Sequence, residues 1–144
     1  MQLNIGGKKY TIVYTIAATM CDDLLETITG IVGASRGDDD TIITVAGRLP
    51  SLTKSLLYGG LLQFHGEYGD NTVRSKKDAE KLLFQYMTEN DGKREGKLAY
   101  IFNALYTQMG EDSFLSRIGL TDQQEDEKVT PISKGRKPRD GGEN

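Results

Sequence analysis

Gln2-Leu3-Asn4-Ile5-Gly6-Gly7-Lys8-Lys9-Tyr10-Thr11-Ile12-Val13-Tyr14-Thr15 is the stretch that decides how this chain folds. Leu3 and Ile5 alternate with Gln2 and Asn4, the period-2 pattern of a half-buried strand. Gly6-Gly7 follows, and two glycines accept the positive φ angles of a tight I′ turn. The second strand then places Tyr10, Ile12 and Tyr14 on one face, with Val13 on the other. A lone hairpin is marginal in water, so this one must pack on what comes after it.

What comes after is helical in pattern. Ile16, Met20, Leu24, Ile28 and Val32 recur every four residues, with Leu25 and Ile31 beside them, predicting a first helix over residues 16–32. Residues 34–41 read as a loop. The β-branched run Thr41-Ile42-Ile43-Thr44-Val45 is open between a third strand and a short helix or turn leading into Pro50; the latter is expected. A second helix follows Pro50, with Leu52, Leu56, Leu57, Leu61 and Phe64 as its stripe. Gly59-Gly60 lies inside it. Glycine costs a helix about 1 kcal/mol against alanine, and the structural return is close approach of another backbone. Residues 66–71 form a further loop.

Ser75 with Asp78 resembles a capping box and opens a helix over residues 76–88 that buries Ala79, Leu82, Leu83, Tyr86 and Met87. Asn90-Asp91-Gly92 breaks it. A fourth helix is expected over residues 94–109, burying Leu98, Ile101, Phe102, Leu105, Tyr106 and Met109 and ended by Gly110. Asp112 is expected to cap a last short helix with Phe114, Leu115 and Ile118 inward, stopped by Gly119. The fold class is therefore α+β, mainly α: an N-terminal β-hairpin packed on four to five helices. Residues 1–120 form one domain. Beyond them only Val129 and Ile132 are aliphatic, so residues 121–144 read as a disordered polar tail.

Composition narrows the function classes. Hydrophobic residues make up 37%, and no apolar run approaches the roughly 20 residues needed to span a bilayer. The start has no charged stretch followed by a long apolar one, so it does not read as a signal peptide. A single Cys21 cannot build a disulfide framework, and the expected compartment is cytosol. Net charge is −3, too balanced for the basic face a nucleic-acid binder needs. In residues 121–144 the charges are segregated, four acids within 122–127 and four bases within 134–139. That basic run is the one handle for an acidic surface or nucleic acid, and it reads first as solvated chain.

There is little for catalysis. The one histidine, His65, closes the second helix, where the dipole favours a cation, and nothing nominates an orienting carboxylate or nucleophile for it. Cys21 reads as a small buried apolar residue. One Cys and one His make no zinc set. Asp38-Asp39-Asp40 lacks the alternating ligands and terminal Glu of an EF-hand and reads as a solvated acidic loop. Gly6-Gly7-Lys8-Lys9 lacks the spacing of a phosphate loop. The expectation is no catalytic, cofactor or metal site. A binding role remains. Tyr is favoured at interfaces because its ring buries while its hydroxyl stays wet. Leu56, Tyr58, Leu61, Phe64, Tyr100 and Tyr106 are the candidate partner-binding residues.

The opening Met1-Gln2-Leu3-Asn4-Ile5-Gly6-Gly7-Lys8-Lys9-Tyr10, followed by a strand and an amphipathic helix, resembles the tail assembly chaperones of long-tailed phages and prophages of Gram-positive bacteria. The layout agrees over about residues 1–118 and the pattern over about 1–32. The family's usual Asn-Gly turn stands here as Gly6-Gly7, and residues 33–48 have no counterpart. The resemblance implies a non-enzymatic protein of the host bacterial cytoplasm, absent from the mature virion. It would coat the tape measure protein and keep it soluble until tail tube protein polymerises around it. It implies self-association into oligomers or helical assemblies and, in some members, a longer frameshifted product. The rival classes are a virion component, such as a head–tail connector or minor tail protein, and a small nucleic-acid-binding regulator using the basic tail.

Overall fold

The structure is a computed structural model that describes residues 1–21, 23–34 and 47–119. It is a mainly helical α+β fold opened by an antiparallel hairpin. Strands β1 (Gln2–Ile5) and β2 (Lys8–Thr11) pair with Leu3 opposite Tyr10 and Ile5 opposite Lys8. The two-residue turn has Gly6 at φ 60° and Gly7 at φ 82°, the conformation that only a residue without Cβ adopts at no cost. Tyr10, Ile12 and Tyr14 are buried and Val13 is only half-buried, so the alternation read from sequence continues past the end of β2.

Five α-helices follow among the described residues: α1 (Leu24–Ala34), α2 (Leu49–His65), α3 (Lys76–Glu89), α4 (Leu98–Glu111) and α5 (Phe114–Arg117). Two short 3₁₀ turns, Ile16–Met20 and Arg94–Gly96, precede α1 and α4. The chain divides into two units, Met1–Asp112 and Ser113–Asn144. In the first, α2 is the centre and packs against β2, the first 3₁₀ turn, α1, α3 and α4. Its Leu52, Leu56, Leu57 and Leu61 are almost wholly removed from water, with Ile12, Tyr14, Leu24, Leu105 and Met109. In the second, α5 carries buried Phe114 and half-buried Leu115, and half-buried Ile118 follows as its C-cap. The expected polar tail, residues 121–144, and the ambiguous run 41–45 lie outside the described residues, as does Asp38-Asp39-Asp40.

The Gly59-Gly60 pair does what its cost implies. The Val13 N–H donates to the Gly60 carbonyl at 3.0 Å. A Cβ on Gly60 would lie 2.5 Å from Ile12 Cγ2 and 3.0 Å from Tyr14 Cζ. The hairpin's outgoing segment thus lies directly on the α2 backbone. Tyr14 adds its hydroxyl, which donates to the Leu56 carbonyl at 2.7 Å.

Three expectations need correction. The first helix does not run continuously over residues 16–32. Ile16–Met20 is a 3₁₀ turn capped by the Thr15 hydroxyl, Cys21 is extended at ψ 110°, and α1 begins only at Leu24. The buried positions are therefore Ala18, Cys21 and Leu24, spaced by three, while Ile16 and Met20 are exposed. The cause lies in α2: small side chains must face Gly59 and Ser55, and the Cys21 thiol reaches the Ser55 carbonyl at 3.8 Å. The fourth helix starts at Leu98, because residues 94–96 turn tightly and Lys97 is extended. Gly110 does not end it; Glu111 does. Asp112 does not cap α5. Its carboxylate accepts the Tyr14 N–H at 2.8 Å and the Gln108 side-chain amide at 3.0 Å, so it ties α4 to the hairpin exit. Ser113, left-handed at φ 54°, precedes α5 without a side-chain cap.

Candidate partner-binding surface

The residues most able to do chemistry are all engaged in holding the first unit together. His65 ends α2 with its side chain 7% exposed. Its Nε2 accepts the Thr11 N–H at 2.9 Å, which assigns the ring proton to Nδ1. Nδ1–H donates to Asp70 Oδ2 at 3.0 Å. A His–Asp pair works as a base only when the second ring nitrogen faces a nucleophile. Here that nitrogen faces a main-chain amide at the end of β2. The sequence places His65 as a cation favoured by the helix dipole; the geometry makes it instead a neutral bridge from α2 to the hairpin. Tyr10 packs against the ring at 4.9 Å, and Lys8 reaches Asp70 at 3.0 Å. The Thr72 hydroxyl, donating to Asp70 Oδ1 at 2.7 Å, holds that carboxyl well below its usual range; Lys8 and His65 add to the effect.

Cys21 and Asp23 form a second joint. Burial and the neighbouring Asp23 push the Cys21 thiol up to about 12, so the reactive thiolate is scarce at neutral pH. Burial pushes the Asp23 carboxyl up as well, but bonds from Lys76, Cys21 and Ser55 outweigh it and the net is downward. The cluster links α1, α2 and α3: Asp23 pairs with Lys76 and accepts from the Ser55 hydroxyl at 3.2 Å. Among the described residues no three His, Cys, Asp or Glu side chains gather as a metal set. No described helix is long and apolar enough to cross a membrane.

The features left over are apolar grooves. The first, about 520 Å³, lies between the 3₁₀ turn, α2 and the loop after α2. Met20, Tyr58, Leu62, Tyr68 and Val73 line it, with Glu67, Asn71 and Arg74 as its polar side. Met20 is 63% exposed and Tyr68 76%. Arg74 completes the rim. Its Nε makes a long contact of 3.4 Å to the Asn71 carbonyl, and no carboxylate among the described residues lies within ion-pair distance of it. A second groove, about 510 Å³, is formed by Leu3, Tyr86, Tyr100, Ile101 and Ala104. A third, about 500 Å³, runs beside Phe84, Leu83, Met87 and Leu98.

The six candidate partner-binding residues are not brought together. Leu56 and Leu61 are 0% exposed, so they are core and present no surface; α2 is covered on too many sides for its stripe to serve as a groove. Tyr58 lines the first groove and Tyr100 the second. Phe64 is half exposed. Tyr106 is half-buried and stacks on Phe102, centroids 6.1 Å apart. Sequence reading missed Met20, Arg74 and Phe84; Tyr68 is one of the tyrosines of the helical half that it weighs as core or partner-facing, without choosing it. Of the three missed, Met20 and Phe84 carried a signal: Met20 belongs to a stripe the 3₁₀ turn breaks, and Phe84 falls off the buried stripe of α3. Comparison with known protein families, curated proteins and solved structures finds no match.

Proposed function

We propose that this protein is a non-enzymatic phage tail assembly chaperone that binds the tape measure protein through the groove between Met20, Tyr58 and Tyr68. The observation that carries the reading is that groove. Met20 and Tyr68 stay largely in water beside a core that is already complete. Methionine adapts to varied apolar partners, and tyrosine offers a rigid ring with a wet end. Such a surface suits an amphipathic helix laid in a groove, read at i, i+3 or i+4 and i+7. Arg74 and Glu67, which line the same groove, suit a helix that carries charges of both signs beside its apolar row. A long helical partner offers that pattern many times over, so one small protein can serve it repeatedly.

The resemblance of residues 1–32 to tail assembly chaperones supports the same reading. So does the structural employment of His65 and Cys21, which leaves neither available for a reaction. On this reading the protein works in the host cytoplasm and leaves before the particle is finished. Deleting its gene should leave heads intact and abolish normal tails, and purified particles should lack the protein. Stoichiometric copies in mature particles would mean a virion component instead, and salt-sensitive DNA binding would mean a regulator.

A further inference from the structure

We propose that His65 is a proton-operated latch: a second proton on its ring releases the end of β2 from α2. The two ring nitrogens play opposite roles. Nε2 accepts the Thr11 N–H at 2.9 Å, and Nδ1–H donates to Asp70 Oδ2 at 3.0 Å. A neutral imidazole fills both roles at once, whereas an imidazolium carries N–H on both nitrogens and accepts nothing. With a proton on Nε2, two N–H groups would face each other across 2.9 Å beside a side chain that is only 7% exposed. That bond cannot persist, and an unmade bond in a part-buried place is costly, so the strand end must move until each donor finds water. Histidine is the side chain whose ordinary charge change falls between pH 5 and 8, so mild acid is the trigger.

The surroundings decide which side lets go. The charged and titratable groups that face the ring among the described residues are Asp70, Lys8 and Tyr10. Asp70, from the loop after α2, favours the second proton, because its bond to Nδ1–H becomes charge-assisted. The C-terminal end of α2, where His65 stands, favours a cation too. Lys8, from β2, sits on the same Asp70 oxygen at 3.0 Å and opposes it. Tyr10, also from β2, packs its ring against the imidazole. The protonated ring therefore stays on the loop, and the hairpin is what leaves. The opening is confined by the bonds that follow along the chain. The Ile12 N–H donates to the Met1 carbonyl at 2.8 Å, and the Val13 N–H to the Gly60 carbonyl at 3.0 Å. The Tyr14 hydroxyl donates to the Leu56 carbonyl at 2.7 Å. All three end on main-chain oxygens that do not titrate, so the hairpin exit stays on α2 while the Thr11 contact opens.

The test is nitrogen-15 NMR on the full chain between pH 8 and pH 5. It reads the His65 ring nitrogens together with the protection of the Thr11 amide, corrected for intrinsic exchange. As the ring takes its second proton, protection at Thr11 should fall at least tenfold, while the Leu105 and Met109 amides of α4 keep theirs. In His65→Gln the side-chain carbonyl stands in for Nε2 and gains no proton, so Thr11 protection should stay level across the range. Asp70→Asn should move the midpoint to lower pH and Lys8→Met to higher pH, shifts that test the latch even where His65→Gln does not fold. A ring that is doubly protonated while Thr11 keeps its protection overturns the proposal. So does a ring that holds a single proton down to pH 5, a loss that His65→Gln shares, or a loss that spreads equally to α4.

Discussion

The main-chain N–H of Val13 donates to the carbonyl of Gly60 at 3.0 Å, which fixes the hairpin exit on the α2 backbone. Contact this close requires that Gly60 carry no side chain. Gly60→Ala should therefore destabilise the protein. The new Cβ would stand 2.5 Å from Ile12 Cγ2, and overpacking of this kind costs about 1–3 kcal/mol beyond what alanine returns in helix propensity. Gly59→Ala should be milder, because its Cβ meets the movable end of Leu24 at 3.1 Å. Urea unfolding of the two variants measures the difference. Equal stability in both would show that the close approach is not what the glycines serve.

Leu56 and Tyr68 should separate core from surface. Leu56 is fully buried, and Leu56→Ala should cost about 2–5 kcal/mol. Tyr68→Ser should leave the unfolding midpoint within error and weaken partner binding. Measuring stability and binding on both variants distinguishes the two roles.

The His65 bridge predicts a stability effect without a catalytic one. His65→Ala leaves the part-buried Thr11 N–H without its acceptor, a loss of about 1–3 kcal/mol, while Asp70 keeps Thr72 and Lys8. Hydrogen exchange should rise first at Thr11 and its β1 neighbours. Unchanged protection at Thr11 would contradict the bridge.

Asp70 should give the protein an acid limb. Its carboxyl titrates below the usual 3.8 in the fold because Thr72, then Lys8 and His65, favour the charged form. A depressed carboxylate contributes stability that is complete above the unfolded value and lost as pH falls through the folded one. Asp70→Asn should thus be less stable than wild type at pH 7, with the gap closing as pH drops below about 3.8. A gap that stays constant to pH 2 would mean that the charge is not what stabilises.

Cys21 should be inert in the folded state. Its thiol is pushed up to about 12, and its side chain faces Asp23 and the Ser55 carbonyl. Modification by iodoacetamide at pH 8 should be slow in buffer and fast in denaturant. Rapid labelling of native protein would contradict the packing around α1.

The hairpin was legible because its signals are local. Alternation, Gly6-Gly7 and the spacing of Tyr10, Ile12 and Tyr14 need no distant partner to be read. Gly59-Gly60 was legible for a related reason: a cost inside a helix points to a close neighbour, and Val13 is that neighbour. The 3₁₀ turn was not legible, since Ile16 and Met20 fit the helical stripe perfectly well in one dimension. What broke the stripe was the need for Ala18 and Cys21 to face α2, a tertiary demand. Asp112 sat where a cap is expected, yet a Tyr14 amide 98 residues away claimed its carboxylate. The first groove joins Met20, Tyr58, Tyr68 and Arg74 from three separate segments, and no periodicity links those.

Chaperone action through the Met20–Tyr68 groove is tested most directly by co-expression with the tape measure protein, scoring how much of the latter stays soluble. The wild-type protein should bring it into the soluble fraction, the complex should survive high salt because the contact is mainly apolar, and Met20→Asp/Tyr68→Asp should return it to the pellet. A tape measure protein that stays insoluble with the wild-type chain, or stays soluble with the double variant, would contradict the proposal.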